Sequence, residues 1–256
     1  MIAVATEYTG TGDPVRSMEL LWNGSPPPKR GPRPKLSLAD VVRKAIDLAD
    51  GSGLAALSMR KLADELGVTA MSLYTYVPGK GELLDLMTDA VCAETARPEP
   101  GRRSWRERLA QIAYENWALY QRHPWLLQVA TNRPVLGPNL IAKYDYELRA
   151  VEGIGLTDVE MDMTIALLAD FVHGSVRAAL NQAQAQQNTG MTEVEWWEKF
   201  QPLLAKVFDA ERYPTATRVG AAAGEEFQAA VAPHRTFVFG LERLLDGVQA
   251  LVQTRS

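Results

Sequence analysis

The chain has 256 residues, 46% of them hydrophobic, and a formal net charge of −4 at pH 7. This composition predicts a soluble globular protein of one large domain, or of a small domain joined to a larger one, and excludes a chain too polar to build a core. The single cysteine, Cys92, excludes an internal disulfide and a zinc site built from cysteines. We find no run of roughly eighteen apolar residues and no secretion signal, so we expect a cytoplasmic protein without a membrane partner.

Basic residues are concentrated in one part of the chain. Residues 29–80 carry nine Lys and Arg against five Asp and Glu, whereas residues 81–256 carry seventeen against twenty-three. A basic module joined to an acidic body is typical of a protein that binds a polyanion such as nucleic acid. An ordinary fluctuation of charge would give the same counts, and on this observation alone both interpretations stay open.

Residues 1–36 are rich in Gly, Pro, Ser and Thr and end in NGSPPPKRGPRPK. Proline lacks a backbone N–H and fixes φ, so NGSPPPKRGPRPK cannot form a helix or a central strand. We predict a flexible arm, within which SMELLW could form a turn of helix. A translation start at Met18 instead of Met1 would shorten the arm. Its basic side chains suit the minor groove of DNA, or equally a solubilising tail. They are Lys29, Arg30, Arg33 and Lys35.

Three short helices are predicted after the arm. Behind Ser37, a favourable N-cap, apolar residues recur at helical spacing until the stretch DGSG ends the first helix. Ser58 caps a second helix, which ends at Gly67. A third helix follows at once, with Leu73 and Val77 one turn apart and therefore on its buried face.

The second and third helices, joined at a glycine and packed on the first, predict a helix-turn-helix unit whose last helix enters the major groove of DNA. The stretch GVTAMSLYTYVPGK gives that last helix several hydroxyl groups, which bind bases or phosphates without burying a charge. Met71 is apolar and suits contact with a thymine methyl group. The residues predicted to lie on the other faces of this helix, away from Leu73 and Val77, are Ala70, Met71, Ser72, Thr75 and Tyr76.

The rest of the chain is also predicted to be helical. A fourth helix opens in GELLDLMTDAVCAETA, and longer helices are expected beyond RPEPGRR. Few segments alternate polar and apolar residues with period two, so we expect no sheet. The longer helices are placed at residues 104–122, 124–131, 138–153, 157–187, 192–210 and 225–253.

An all-α protein with three parts follows from these predicted elements. The parts are a flexible basic arm over residues 1–36, a helix-turn-helix DNA-binding domain over residues 37–88, and a larger helical domain over residues 89–256.

The stretch SLADVVRKAIDLADGSGLAALSMRKLADELGVTAMSLYTYVPGKGELLDLM closely resembles the DNA-binding signature of the tetracycline-repressor (TetR) family of bacterial transcription regulators. The resemblance covers residues 37–90. Two later stretches, FVHGSVRAALNQAQ and HRTFVFGLERLLDGVQALV, resemble the dimer-forming helices of the tetracycline repressor branch. The family implies an all-helical homodimer that reads a palindromic operator and releases it when a small-molecule inducer binds the larger domain. The family implies repression of transcription, and the sequence alone does not decide between repression and activation.

The resemblance also implies roles for individual residues. Arg60 is placed to contact guanine, whose O6 and N7 a guanidinium can bind together, although it could instead be a solvated surface residue. Tyr74 and Lys80 match phosphate contacts, and Tyr74 could instead be a core aromatic with a surface hydroxyl. Gly81 departs from the family pattern, in which a charged residue commonly follows the lysine. The groove-facing positions match Ala70, Met71, Ser72, Thr75 and Tyr76. Thr69 is a further DNA-binding candidate.

The larger domain is expected, by the same resemblance, to dimerise and to bind an effector. The apolar stripe of the last helix suits an intersubunit four-helix bundle, but an intrachain core would need the same stripe. Ala96 and Ala178 stand where the tetracycline repressor has a pocket histidine and a metal-associated glutamate. We therefore expect an apolar or aromatic effector, with no metal and no cofactor. For each aromatic candidate, packing in the core remains the alternative to ligand contact. For His173, the alternative is a histidine whose hydrogen bonds are satisfied within the protein or at a subunit interface. The candidate ligand residues are Asn116, Trp117, Gln128, Asn132, Phe171 and His173.

An enzyme and a helical ligand-binding protein are the two alternative classes of function. For an enzyme, the sequence offers no nucleophile elbow, no phosphate-binding glycine loop and no metalloprotease motif, and its three histidines lie far apart. No catalytic residue is therefore predicted. A helical ligand-binding protein that never contacts DNA is the second alternative. That alternative does not explain why Arg60 and the hydroxyl groups of the third helix are predicted on one exposed surface.

Overall fold

The computed structural model describes residues 7–24, 36–99, 101–130 and 133–255. Within them the chain forms eleven α-helices, two short 3-10 helices and one pair of two-residue parallel strands, so the predicted all-α class is confirmed. The strands are β1 (Glu7–Tyr8) and β2 (Val129–Ala130), and the 3-10 helices are Leu54–Ala56 and Pro124–Gln128. The α-helices are α1 (Pro14–Asn23), α2 (Leu38–Ser52), α3 (Met59–Leu66), α4 (Ala70–Leu73), α5 (Lys80–Cys92), α6 (Trp105–Arg122), α7 (Pro138–Arg149), α8 (Asp158–Thr189), α9 (Glu193–Val207), α10 (Pro214–Phe227) and α11 (Pro233–Gln253).

The helix ends of the first domain follow the predicted caps. Ser37 and Asp40 form a capping box at the start of α2, each accepting a hydrogen bond from the other's backbone. The Ser58 side chain accepts from the backbone N–H of Lys61 at the start of α3. Gly67 ends α3 in the left-handed conformation, at φ +66°, which a residue with a Cβ rarely adopts.

Two hydrophobic clusters hold the chain together. The first cluster joins α2, α3 and α4 to α5, and its centre includes the fully buried Val41, Leu62 and Leu73. The second joins α6, α8 and α11, where Val172 and Phe237 are completely buried. Since α5 belongs to the first cluster and also packs against α7, it connects the helix-turn-helix unit to the body.

The predicted helix boundaries are wrong in two places. Residues 124–128 form a 3-10 helix followed by β2 and not one α-helix, because Val129 and Ala130 pair with β1. The predicted span 225–253 starts inside α10 (Pro214–Phe227), most of which was not predicted, and it is interrupted where Gln228 takes φ +51°, so that α11 starts only at Pro233. Proline fits the first turn of a helix, where its missing N–H leaves no bond unmade.

The prediction that residues 1–36 form a flexible arm is wrong for residues 7–24. β1 pairs with β2, and the side chain of Asp13 caps α1 by accepting from the backbone N–H groups of Val15 and Arg16. Leu20 and Leu21 of α1 pack against the first hydrophobic cluster. The apolar face of a short amphipathic helix therefore attaches this segment to the body of the protein.

One helix meets the length and composition criteria for a membrane span, contrary to the expectation that no run would. α8 has 32 residues, and its most apolar window has a mean hydropathy of 1.3. The core helix of a soluble protein passes the same test. A single helix of this kind is weak evidence for a membrane span. In α8, 28% of the window is buried, where the helix packs against α6 and α11 in the second cluster.

An ion pair joins the end of α11 to the start of α8, and its contribution to stability should depend on pH. Arg255, beyond α11, binds Glu160 in the first turn of α8 and, with the Thr157 cap, lowers the pKa of that carboxyl from 4.5 to about 2. Its contribution to stability is therefore complete above pH 4.5 and is lost as the pH falls toward about 2. We expect Glu160→Gln to lower the urea midpoint at neutral pH, with a difference from the wild type that shrinks over that range. Glutamine can still accept the cap bond, so a difference independent of pH would contradict the role of the charge.

Candidate nucleic-acid interface and ligand cavity

The segment from α3 to Val77 has the geometry of a helix-turn-helix. After Gly67, the hydroxyl oxygen of Thr69 accepts a hydrogen bond from the backbone N–H of Ser72 at 3.2 Å and caps α4. The backbone N–H groups of Tyr76 and Val77 both donate to the carbonyl of Leu73, at 2.9 and 3.1 Å, so helical turns continue past α4. Leu73 and Val77 are completely buried, as predicted.

Several of the predicted DNA contacts lie on the outer surface of this unit. Met71 is 77% exposed, which is unusual for a large apolar side chain and suits a surface that a partner covers. Tyr74 is 46% exposed, so the alternative of a core aromatic does not hold. Thr75 on this unit and Arg60 on α3 are exposed as well. One carboxylate of α3 is neutralised, because Glu65 pairs with Lys44 of α2 at 3.0 Å.

Three of the predicted contacts are less available than the sequence suggests. Ala70 and Tyr76 are only partly exposed and pack against the first hydrophobic cluster. The hydroxyl of Thr75 donates to the carbonyl of Ser72 at 2.6 Å. With its hydrogen used inside the helix, Thr75 can accept from a base but cannot donate to a phosphate in this conformation. Local bonds of this kind are common for threonine in helices, and sequence spacing does not reveal them.

The remaining predicted DNA contacts are at the edges of the unit or outside the described residues. Ser72 is partly exposed, and Lys80 is the partly buried first residue of α5. The hydroxyl of Thr69 accepts a bond from Ser72, which leaves its hydrogen able to donate. The arm residues Lys29, Arg30, Arg33 and Lys35 lie outside the described residues.

A cavity of about 320 Å³ lies in the body among α5, α6, α7, α8 and the segment that follows α6. Most of its lining is apolar, as in a site for a small organic ligand. One polar group is at Glu147, which accepts from Asn116 Nδ2 at 3.0 Å and pairs with Lys143. The apolar lining includes Leu119, Tyr120, Leu126, Val129, Val135 and Ile165.

Three titratable side chains of the cavity are held in their neutral forms. Burial raises the pKa of Cys92 to about 11 and that of Tyr120 to about 12, so both keep their protons at neutral pH. Burial and the nearby Arg177 lower the pKa of His173, which favours the neutral imidazole. The charge of Asp162 is met by a hydrogen bond from the Tyr144 hydroxyl at 2.6 Å. These surroundings favour an uncharged, largely apolar or aromatic ligand.

Only part of the predicted ligand set lines this cavity. Asn116 and His173 do, whereas Gln128 does not. Trp117 and Phe171 lie in the second hydrophobic cluster, with ring centroids 4.4 and 5.7 Å from that of Phe237. Asn132 lies outside the described residues.

The polar residues of the lining that the sequence did not predict come from three helices. Lys143, Tyr144 and Glu147 share one face of α7, Thr88 lies on α5, and Asp162 lies on α8. The i,i+4 spacing of Lys143 and Glu147 was visible in the sequence, but on an exposed helix it would predict an ordinary surface pair. Among the described residues, no group of three or more His, Cys, Asp or Glu side chains is placed to hold a metal ion.

Two family descriptions match the chain. Residues 41–87 match "Bacterial regulatory proteins, tetR family", and residues 97–252 match "Tetracyclin repressor-like, C-terminal domain". The first match contains α3 and α4, and the second contains most of the cavity lining. The division at residues 88–96 falls within and just after α5, the helix that connects the helix-turn-helix unit to the body.

Individual relatives agree with these matches. The HTH-type transcriptional repressor DrrR1 of Streptomyces coeruleorubidus is 45% identical over 99% of this chain and 92% of its own length. The tetracycline repressor protein class E of Escherichia coli is 25% identical over 84% of this chain and 92% of its own. The structure of the Streptomyces coelicolor TetR family protein ActR in complex with actinorhodin is similar with a TM-score of 0.71 and 29% identity, covering 86% of this chain and 99% of that one.

Proposed function

The chain belongs to the TetR family of bacterial transcription regulators, and from that premise we propose that it binds a palindromic operator as a homodimer and releases it on binding an apolar or aromatic effector. It is a ligand-responsive, DNA-binding transcriptional repressor. Its relatives are transcriptional regulators, and we assign it no catalytic residues. Its place of action is then the cytoplasm, where bacterial DNA lies.

The exposed face of α4 is the observation that carries the proposal. A helix that only packed in a bundle would have no reason to leave Met71 and Tyr74 open to solvent, and Arg60 on the preceding helix is exposed as well. In the major groove, Met71 can contact a thymine methyl, Arg60 can bind guanine and Tyr74 can bind a phosphate. Each of these contacts uses a side chain that has no packing role in the first hydrophobic cluster.

The body supports a homodimer through its uncovered apolar surfaces. On α8, Val159, Met163 and Leu167 repeat every four residues and are 68%, 62% and 55% exposed. Neither α9 nor α10, both described in full, has a buried residue, although α9 carries apolar side chains along its length. The apolar side chains of α11 pack mainly inside the chain, where Phe237, Leu241 and Leu245 are buried. We therefore place the dimer contact on the outer face of α8, with α11 beside it.

A charge on this face should separate the subunits. We expect Leu167→Glu to raise the dimer dissociation constant about 100-fold or more, because a two-fold interface would bury two unpaired carboxylates. Sedimentation equilibrium at micromolar concentration measures the change. The control is Val15→Glu, at a position on α1 that is 68% exposed and away from this face. A wild-type protein that sediments as a monomer would reject the dimer altogether.

The effector is proposed from the cavity and from the titles of solved relatives. The ActR structures are described as complexes with actinorhodin and with (S)-DNPA. In this chain the cavity is apolar, holds neutral cysteine, tyrosine and histidine side chains, and has polar groups at Asn116 and Glu147 that can orient a ligand. These features favour an aromatic effector with few hydrogen-bonding groups.

The decisive experiment for the function is selection of bound duplexes from a random DNA pool by the purified full-length protein. We expect a palindromic consensus with two half-sites about one helical turn apart, as two copies of α4 in successive major grooves require. A folded protein that enriches no sequence would leave only the alternative of a helical ligand-binding protein that does not contact DNA.

A further inference from the structure

The segment formed by β1, the turn after it and α1, residues 7–24, is bonded to the wall of the ligand cavity. We call this segment the strap. β1 pairs with β2, the Thr9 hydroxyl donates to the carbonyl of Arg133 at 2.9 Å, and the Trp22 indole N–H donates to the carbonyl of Leu136 at 2.9 Å. The residues it holds include or flank Val129, Pro134 and Val135, which line the cavity.

The other side of the strap is bonded to the first turns of α5. Asp85 accepts from the backbone N–H of Gly10 at 2.9 Å and from the Ser17 hydroxyl at 3.1 Å, and Glu82 accepts from the backbone N–H of Asp13 at 2.9 Å. Asp85 and Glu82 are only 3% and 6% exposed. Carboxylates buried to this degree need hydrogen-bond donors, and the strap supplies them from its backbone and from Ser17.

The strap and α5 are also too close for ordinary side chains at two positions. A Cβ on Gly12 would lie 2.4 Å from the Glu82 carboxylate, and a Cβ on Gly81 would lie 2.7 Å from the Thr11 hydroxyl and 2.9 Å from the backbone nitrogen of Gly12. Gly81 is the position that departs from the family pattern. The departure has a physical reason here, because only glycine lets the strap lie against the start of α5.

We propose that the strap couples the ligand cavity to the DNA-reading unit, by tying β2 and the residues 133–136 of the cavity wall to the first turns of α5. The inference rests on the proposed function, whose regulation it describes. α5 begins directly after the helix-turn-helix and supplies Thr88 and Cys92 to the cavity. The strap adds a second connection, so a shift of the cavity wall is transmitted to α5 at the end nearest the DNA. Coupling between two sites is reciprocal, so DNA binding must then change the affinity of the cavity for its ligand, and we expect the change to appear at the cavity wall.

The test variant is Gly81→Ala in the full-length protein, with Gly51→Ala as the matched control. Both are helical glycines, but a Cβ on Gly51 meets nothing within 4 Å. In the free protein, we expect Gly81→Ala to speed amide hydrogen exchange about tenfold in the strap and at β2, and Gly51→Ala to leave both unchanged. Ser17→Ala, which removes one strap bond without a steric clash, should have a smaller effect of the same kind. Unchanged exchange in Gly81→Ala and Ser17→Ala would overturn the proposal.

The coupling itself is tested with a duplex recovered by the random-pool selection. Adding this duplex to the wild type should change exchange at β2 and residues 133–136 about threefold or more, and the change should be lost in Gly81→Ala but kept in Gly51→Ala. Wild-type protein that binds the duplex without any change at the cavity wall would overturn the coupling and leave the proposed function standing. If no duplex is recovered, the proposed function fails and the coupling fails with it, while exchange in the free protein still decides whether the strap is docked.

Discussion

Replacing Arg60 with alanine is expected to weaken binding to the selected operator by about 10- to 100-fold for each half-site. The guanidinium is exposed on α3, the helix before α4, and within the part of the chain that the structure describes no ion pair holds it. A bidentate contact with guanine contributes about 1 to 3 kcal/mol to discrimination between bases. Titration of a labelled duplex at fixed ionic strength measures the loss, which should be greatest for sequences that keep the guanine.

The control for Arg60→Ala is Arg149→Ala, which removes the same charge from α7 in the body. The Arg149 side chain is also largely exposed, at 69%, and pairs with Asp145 one turn away. Both variants should fold, because neither side chain lies in a hydrophobic cluster. Equal losses of affinity in the two would indicate a nonspecific effect of net charge, and wild-type affinity in Arg60→Ala would remove Arg60 from the interface.

The first domain is the part of the fold that its sequence predicts best, because its signals are local. Ser37, Ser58 and Gly67 fix helix ends through bonds to residues three or four positions away, and Leu73 and Val77 share a buried face through helical spacing alone. The limits of the prediction also appear there. Whether the Thr75 hydroxyl faces solvent or its own helix depends on a side-chain torsion that no sequence pattern specifies.

The contacts of α5 could not be predicted, because the partners of its acidic residues are distant in the sequence. Glu82, Asp85 and Asp89 recur at helical spacing and would ordinarily mark a solvent-exposed face. All three are buried, and their donors lie 50 to 75 residues away in the strap and at the start of α7. Asp89 accepts from the backbone N–H groups of Asn139 and Leu140, and so caps α7.

The cavity lies in the larger domain, where the sequence predicts effector binding, but only Asn116 and His173 of the predicted ligand set line it. Sequence spacing identifies aromatic residues within helices, but it does not tell whether an aromatic faces a cavity or another aromatic. Trp117 and Asn116 are neighbours on α6, yet Asn116 reaches the cavity and Trp117 packs on Phe237. The rotation of α6 against α8 and α11 decides between them, and that rotation is a property of the assembled bundle.

Replacing Phe237 with alanine is expected to lower the free energy of unfolding by about 3 to 5 kcal/mol. The ring is completely buried at the junction of α6, α8 and α11. It contacts Trp117, Tyr114 edge-on at 5.4 Å and Phe171 stacked at 5.7 Å, so its removal leaves a void lined by three large rings. Rigid rings cannot collapse into the void as flexible side chains do, which places the expected cost at the upper end of the range.

Phe237→Leu is the matched control, because leucine keeps the site apolar and fills most of the volume. Its cost should be about 1 kcal/mol, and the midpoint of thermal unfolding should fall by only a few degrees, against about 10 °C or more for alanine. Urea unfolding followed by tryptophan fluorescence compares the two variants, with Trp117 reporting on the cluster directly. Similar costs for leucine and alanine would mean that the loss of the stacked aromatic contact, and not the void, sets the stability of the body.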